Sequence, residues 1–186
     1  MKACSWPGEN QIMLAYHDKE WCVPTKNDQY LFELLCLEGA QAGLSWSIVL
    51  AKREAYQEAF KKFDITYCAK LTDQQLEEIR VNSGVIKNSA KLKAIRSNAQ
   101  AVLALKTEYN SFVDFLWQYV DGKQIINCWE DESQVPAETE LSKQLSKDLK
   151  KRGFKFVGPV IIYSFMQAVG MIDDHIISCP FHTSNR

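Results

Sequence analysis

The chain has 186 residues, 46% hydrophobic and 24% charged, with a formal net charge of −1. That composition excludes a disordered or fibrous chain and suits one large domain or two small lobes sharing a cleft. A charge this near neutrality excludes a polycationic nucleic-acid coat but leaves room for a local basic patch. No apolar run approaches the roughly 20 residues that cross a bilayer, and MKACSWPGEN contains no apolar signal core, so export is not expected. Six cysteines lie far apart in a chain with a full-sized core, which points to a reduced, cytoplasmic protein rather than a disulfide framework.

In chain order, Cys4, Trp6 and Ala15-Tyr16-His17-Asp18 precede any strong helical period. The first two dozen residues are therefore expected to wrap over the domain, anchored by Trp21 and Pro24. Thr25 and Asp28 have capping-box spacing and open a helix to about Glu38. Leu31, Leu34, Leu35 and Glu38 fall at i, i+3, i+4 and i+7, which places a carboxylate on an apolar face. An acid taken out of water needs a partner, and either the fold or a ligand can supply one. Gly39 and Gly43 break this helix, and Ser45 can cap the next, which carries Trp46, Val49, Leu50, Arg53, Tyr56 and Phe60. Glu38 and Trp46 then flank a tight bend.

Leu71-Thr72 with Gln75-Leu76 combines a capping box and a hydrophobic staple, so a helix starts at Thr72; Gly84 suits a left-handed stop. Asn88 opens another that runs past Leu103, and Phe112, Phe115, Leu116 and Tyr119 form one more apolar stripe. Between Asp121 and Glu140 the pattern lapses, with Ile125-Ile126 as an extended snippet. Leu141, Leu145 and Leu149 lead to Lys150-Lys151-Arg152 and a stop at Gly153, after which Gly158-Pro159 opens an apolar helix ending near Gly170. The fold class is mainly α, with about eight or more helices.

Three constellations carry chemistry. The hairpin between the last two helices presents backbone N–H groups at a helix N-terminus beside Lys150, Lys151, Arg152 and Lys155, which favours phosphate; those cations also simply complement a helix dipole. His175 and Cys179 have i, i+4 spacing, and Cys4 with His17 would complete a tetrahedral two-cysteine, two-histidine site of the kind zinc prefers. Three ligands plus water would suggest a catalytic metal and four a structural one. Cys22, Cys36, Cys68 and Cys128 fit small core hydrophobes. Trp6, Tyr16, Trp21 and Trp46 share the segments around Glu38, forming either a box for a flat cationic ring or ordinary core.

Taken together these stretches resemble the 3-methyladenine-DNA glycosylase I family of the helix-hairpin-helix glycosylase superfamily. The matching segments are Ala15 to Pro24, Leu37 to Trp46, Lys52-Arg53, Phe63-Asp64, Lys151 to Gly158, Tyr163 to Ala168 and Asp174-His175. The similarity runs from about Cys4 to Cys179. The resemblance implies that residues 1–186 form a single glycosylase domain of two helical lobes around a base-binding cleft, with the hairpin motif near 149–170. It implies a DNA repair enzyme that flips and excises 3-methyladenine from double-stranded DNA. It makes Cys4, His17, His175 and Cys179 ligands of one structural zinc ion joining the termini. Glu38, Tyr16 and Trp46 become the base-recognition residues, Glu38 being the one assigned to the catalytic site, with Trp6 and Trp21 beside them in the substrate pocket. Gln41, Gly43 and Leu44 would probe the gap in the duplex, while Lys151, Arg152, Gly153, Lys155 and Gly158 would hold its backbone.

Cys22 stands where the family commonly has glycine, Ala40 where a glutamine can occur, and the tail after Cys179 is poorer in cysteine. Gly158 is followed by Pro159-Val160 rather than by a lysine nucleophile, so no Schiff base and no strand cleavage are expected. The acid that other branches of the superfamily use beyond the hairpin has no clear equivalent; Asp173 and Asp174 lie nearby, but they adjoin His175 and suit its orientation as a zinc ligand at least as well. The expected state is a monomer without nucleotide cofactor or membrane association, cytoplasmic and nucleoid-associated through DNA. A rival reading is a zinc-stapled module that recognises damage without excision; a helical protein-interaction domain would leave the basic hairpin unexplained.

Overall fold

The computed structural model describes residues 3–186. Among them it has ten α-helices: α1 (Gln11–Lys19), α2 (Asp28–Gln41), α3 (Trp46–Leu50), α4 (Arg53–Ala59), α5 (Ile65–Lys70), α6 (Asp73–Asn82), α7 (Ser89–Leu105), α8 (Phe112–Trp117), α9 (Glu140–Lys151) and α10 (Pro159–Ala168). Two short strands, β1 (Ile125–Ile126) and β2 (Ile172–Asp173), pair in parallel with Ile125 opposite Ile172. The extended Ile125-Ile126 snippet is thus a strand, and the mainly helical class holds. None of the helices is long and apolar enough to cross a membrane.

Several boundaries follow the expected capping chemistry. Thr72 and Gln75 form a reciprocal capping box, Asn88 accepts from Lys91 N, and Gly158 and Pro159 stand at N-cap and first turn of α10. Others need correction. The first residues are not only a wrap, because Asn10 accepts from Ile12 N and Met13 N and opens α1. The cap of α2 is Asn27, not Thr25. Ser45 stands at the N-cap of α3 but its hydroxyl meets Ser47 instead of the backbone, and the helix ends at Leu50 instead of continuing to Phe60. Gly84 is not a left-handed stop; it is needed because a Cβ there would lie 3.1 Å from Ala55 Cβ. Gly39 does not break α2 either. It lies inside the helix, and its missing side chain lets α2 approach the α9–α10 hairpin, where a Cβ would sit 3.1 Å from Phe156 Cβ.

The core gathers Leu31, Leu34, Leu35 and Leu37 of α2 with Phe165 and Met166 of α10, Phe112 and Phe115 of α8, and Leu145 and Leu149 of α9. α2 packs against α3, α7, α8 and α10, so its two ends are fixed from several sides. Cys22, Cys36 and Cys68 are buried as expected of small hydrophobes, whereas Cys128 is exposed.

Candidate active site and metal centre

α1, the segments on either side of it, α2, α3 and α10 converge on a cavity of about 220 Å³ lined by Trp6, Tyr16, Trp21, Glu38, Gln41, Trp46, Ser164 and Gln167. Sites for drug-sized ligands span roughly 300–1,000 Å³, so this one suits a single flat ring system. The four aromatic residues expected to form a box meet here around Glu38. Trp46 stands edge-on to Tyr16 with ring centroids 5.3 Å apart, and Trp6 edge-on to Trp21 at 5.0 Å. Such T-shaped walls leave ring faces available for a third ring.

Glu38 is 4% exposed and its Oε2 has no hydrogen-bond partner. Burial alone pushes its carboxyl from 4.5 up to about 8. The acid that the apolar period of α2 carries inward is therefore not paired within the fold. Trp6 Nε1, Tyr16 OH and Trp46 Nε1, in the same pocket wall, are buried and unpartnered as well. Native proteins rarely leave such atoms unmet. Four in one small cavity describe a site whose hydrogen-bonding partner is a ligand. Burial, then the neighbouring Glu38, raises the Tyr16 phenol well above its usual range, so it stays a neutral donor.

Ser164 and Gln167 escaped the sequence reading. They lie one turn apart on an otherwise apolar helix, and that polar interruption of a buried stripe was the available signal. Gln167 Nε2 donates to Asp174 at 2.7 Å, and its carbonyl accepts from Cys22 N, which ties the Trp21 segment to α10. Cys22 has φ +60°, a conformation glycine adopts freely; here its Sγ accepts from Asp174 N at 3.4 Å.

Asp174 does not orient the His175 ring. Its carboxylate accepts from Asn127 (2.7 Å), Trp129 (2.6 Å), Tyr163 (2.6 Å) and Gln167 (2.7 Å), so no lone pair is left for chemistry. Asp173 takes the backbone N–H of His175 and the amide and hydroxyl of Thr183, not the imidazole.

Behind the aromatic wall, Cys4, His17, His175 and Cys179 are all buried with their ligand atoms within 4.8 Å of one another. Cys4 Sγ is 3.7 Å from His175 Nδ1, and Cys179 Sγ is 3.5 Å from His175 Nδ1 and 3.8 Å from His17 Nε2. Tetrahedral zinc with Zn–N near 2.05 Å and Zn–S near 2.3 Å would set neighbouring N and S atoms roughly 3.6 Å apart. The donor set and its spacing fit zinc. The outer nitrogens are also held, His17 Nδ1 by Asp18 at 2.7 Å and His175 Nε2 near Trp21 O at 3.4 Å. His17 stacks on Trp21 at 5.9 Å, so the quartet and the aromatic pocket share a wall.

At the hairpin, Gly153 (φ +90°) and Phe156 (φ +55°) make the reversal between α9 and α10. The first turn of α10 has no side-chain cap. The basic residues divide: Lys151 is 67% exposed, whereas Arg152 folds back onto Glu108 at 2.9 Å and over the Tyr109 and Phe115 rings. Gln41, Gly43 and Leu44 form the turn after α2, with Gly43 at φ +75° and Leu44 exposed. A larger groove of about 780 Å³ lies elsewhere, but its acids Glu20 and Glu33 are paired with Arg53 at 2.7 and 2.6 Å and leave no unmet group.

A family model described as methyladenine glycosylase matches residues 6–183. The chain is 51% identical to a DNA-3-methyladenine glycosylase of Haemophilus influenzae, covering 97% of this chain and 98% of that one. It is 42% identical to DNA-3-methyladenine glycosylase 1 of Escherichia coli over 100% of both. Among solved structures, that of 3-methyladenine DNA glycosylase I from Staphylococcus aureus, determined to explain its recognition of 3-methyladenine, has a TM-score of 0.94 at 40% identity, covering 96% of this chain and 95% of that one.

Proposed function

The chain belongs to the methyladenine glycosylase family, and on that premise we propose that it is a monofunctional DNA repair enzyme that extrudes 3-methyladenine from alkylated duplex DNA and hydrolyses its N-glycosidic bond. The observation that carries this reading is Glu38 Oε2, a buried carboxyl oxygen with no protein partner in a pocket of unpartnered aromatic donors.

Methylation at N3 leaves adenine positively charged, so the bond to the sugar is already weak and the base departs as a neutral molecule. Little acid catalysis is required. Trp46 stacks on the base, Tyr16 OH fixes its orientation, and Glu38 reads its polar edge while water attacks the sugar carbon. A protonated Glu38 offers one donor and one acceptor, complementary to the acceptor N7 and the donor amino group of adenine. A cationic base favours the ionised carboxylate instead. Glu38 thus favours the charged lesion over unmodified adenine and still matches the neutral product.

The hairpin and the uncapped first turn of α10 bind backbone phosphate, with Lys151 and Lys155 adding charge. Leu44 on its turn acts as an apolar wedge beside the extruded nucleotide. The residues after Gly158 are Pro159 and Val160, which offer no amine for a Schiff base. Cys4, His17, His175 and Cys179 would hold a zinc ion, which supplies a cross-link between distant parts of the chain and takes no part in the reaction.

Base stacking on an aromatic face is worth about 1–3 kcal/mol. Trp46→Ala is therefore expected to weaken binding of free 3-methyladenine by about tenfold to a hundredfold, read by fluorescence of the remaining tryptophans. Unchanged affinity in that variant would remove Trp46 from the site.

A further inference from the structure

α7 carries two polar side chains that no step above uses. Lys91 is 8% exposed, and its Nζ donates to Ala40 O and to Ala42 O, both at 2.7 Å. Ala40 O is one of the carbonyls that α2 leaves open at its C-terminal end. Among the described residues no carboxylate lies within ion-pair distance of this ammonium. Two turns further along the same face of α7, Asn98 is 2% exposed. Its Oδ1 accepts from Lys155 N at 2.7 Å and its Nδ2 donates to Lys155 O at 3.2 Å. One rigid helix therefore grips the turn that follows Glu38 with one side chain and the hairpin with another.

The energetics argue for geometry rather than stability. A helix end can be closed by a glycine in the left-handed conformation without burying any charge, and Gly43 at φ +75° is already there. A largely buried ammonium met only by carbonyls costs desolvation that a hydrophobic residue would not. What the lysine adds is a fixed position of the turn relative to α7, about 10 Å along the helix from the point where Asn98 fixes the hairpin.

We propose that Lys91 and Asn98 are positioning residues, which hold the Gln41–Leu44 turn and the Gly153–Gly158 hairpin at a set spacing so that a duplex gripped by the hairpin meets the wedge at the extruded nucleotide. The inference rests on the DNA repair reading of the site. Both residues hold segments that would meet duplex DNA, and the lining of the base pocket includes neither of them.

The test compares the full chain with Lys91→Met, Asn98→Ala and the double variant. The readouts are kcat/KM for release of 3-methyladenine from methylated duplex, affinity for the free base, and melting temperature. Misplacement by about 1 Å can cost about a hundredfold in rate, so each single variant is expected to lose about that much on duplex while keeping free-base affinity within about twofold. Because both residues serve one spacing, the double variant is expected to lose little beyond the worse single. Parallel loss of free-base affinity, unchanged duplex kinetics, or losses that multiply would each overturn the inference. If Lys91→Met does not fold, Lys91→Gln, whose amide is one atom shorter and meets the two carbonyls only if the turn shifts, carries the same comparison. A parent chain that releases no base overturns the excision reading itself. Spacing is then read from affinity for duplex containing an abasic-site analogue, where equal affinities of parent and variants overturn the inference.

Discussion

Glu38→Gln is expected to stabilise the fold at alkaline pH while weakening the base site. Burial raises the Glu38 carboxyl from 4.5 to about 8, so between those values the native state holds a proton that the unfolded chain has released. Stability from this group is complete below about pH 4.5 and is lost as pH rises through about 8. At 1.36 kcal/mol per pH unit the loss amounts to about 3–5 kcal/mol above pH 8. Glutamine cannot ionise and escapes it. The stability of Glu38→Gln relative to the parent should therefore be near zero at pH 4.5 and grow toward that value by pH 8.5. Denaturant unfolding of both proteins across this range measures it. Comparison at each pH cancels any shared titration of the cysteine–histidine quartet. A difference that does not change with pH would show that Glu38 is solvated or paired in solution. The same variant should release 3-methyladenine from methylated duplex more slowly, because an amide cannot supply a charge to the cationic lesion. Such a gain in stability with loss of function is expected where a buried group waits for a ligand.

Removing a ligand of the cysteine–histidine quartet is expected to have an effect of similar size through a different route. Cys4 and His17 lie in the N-terminal segments, and His175 and Cys179 follow β2, so a metal among them ties together residues more than 150 positions apart. Burial pushes the Cys4 thiol up to about 12 and the His175 imidazole down to about 4. A dication reverses the first of these preferences, and its binding becomes folding free energy. Metal analysis of the parent should find one zinc per chain, and Cys4→Ala or Cys179→Ala should lose it. A loss of about 3–5 kcal/mol would lower the melting temperature by about 10 °C in a chain of this length. A strong chelator should reproduce the loss in the parent and leave the variants unchanged. Zinc-free parent protein of full stability would remove the staple.

The parts of the fold legible in the sequence are those whose cause is local. The Thr72 capping box, the Asn88 cap, the Gly158-Pro159 start of α10 and the stop at Gly153 all depend on residues within one turn. The site was also legible, since Glu38 interrupts an apolar period and the tryptophans cluster around it. α1 was hidden because its buried face is Met13, Tyr16 and His17, two of them site or quartet residues rather than hydrocarbon. Gly39 reads as a helix breaker in sequence, and only the approach of Phe156 shows why a glycine stands inside α2. Asp174 adjoins His175 in sequence, and only the fold shows its carboxylate taken up by four other donors. Nothing local to Lys91 reveals that its ammonium reaches the end of a helix about 50 residues earlier.

Excision separates a glycosylase from a module that only recognises damage. Incubation of the chain with methylated duplex DNA, with identification of the released base and examination of the strand left behind, distinguishes the two. A monofunctional glycosylase releases 3-methyladenine well above the spontaneous rate and leaves an uncleaved abasic strand with no covalent adduct trapped by borohydride. Duplex that is bound while the lesion stays in place would contradict excision.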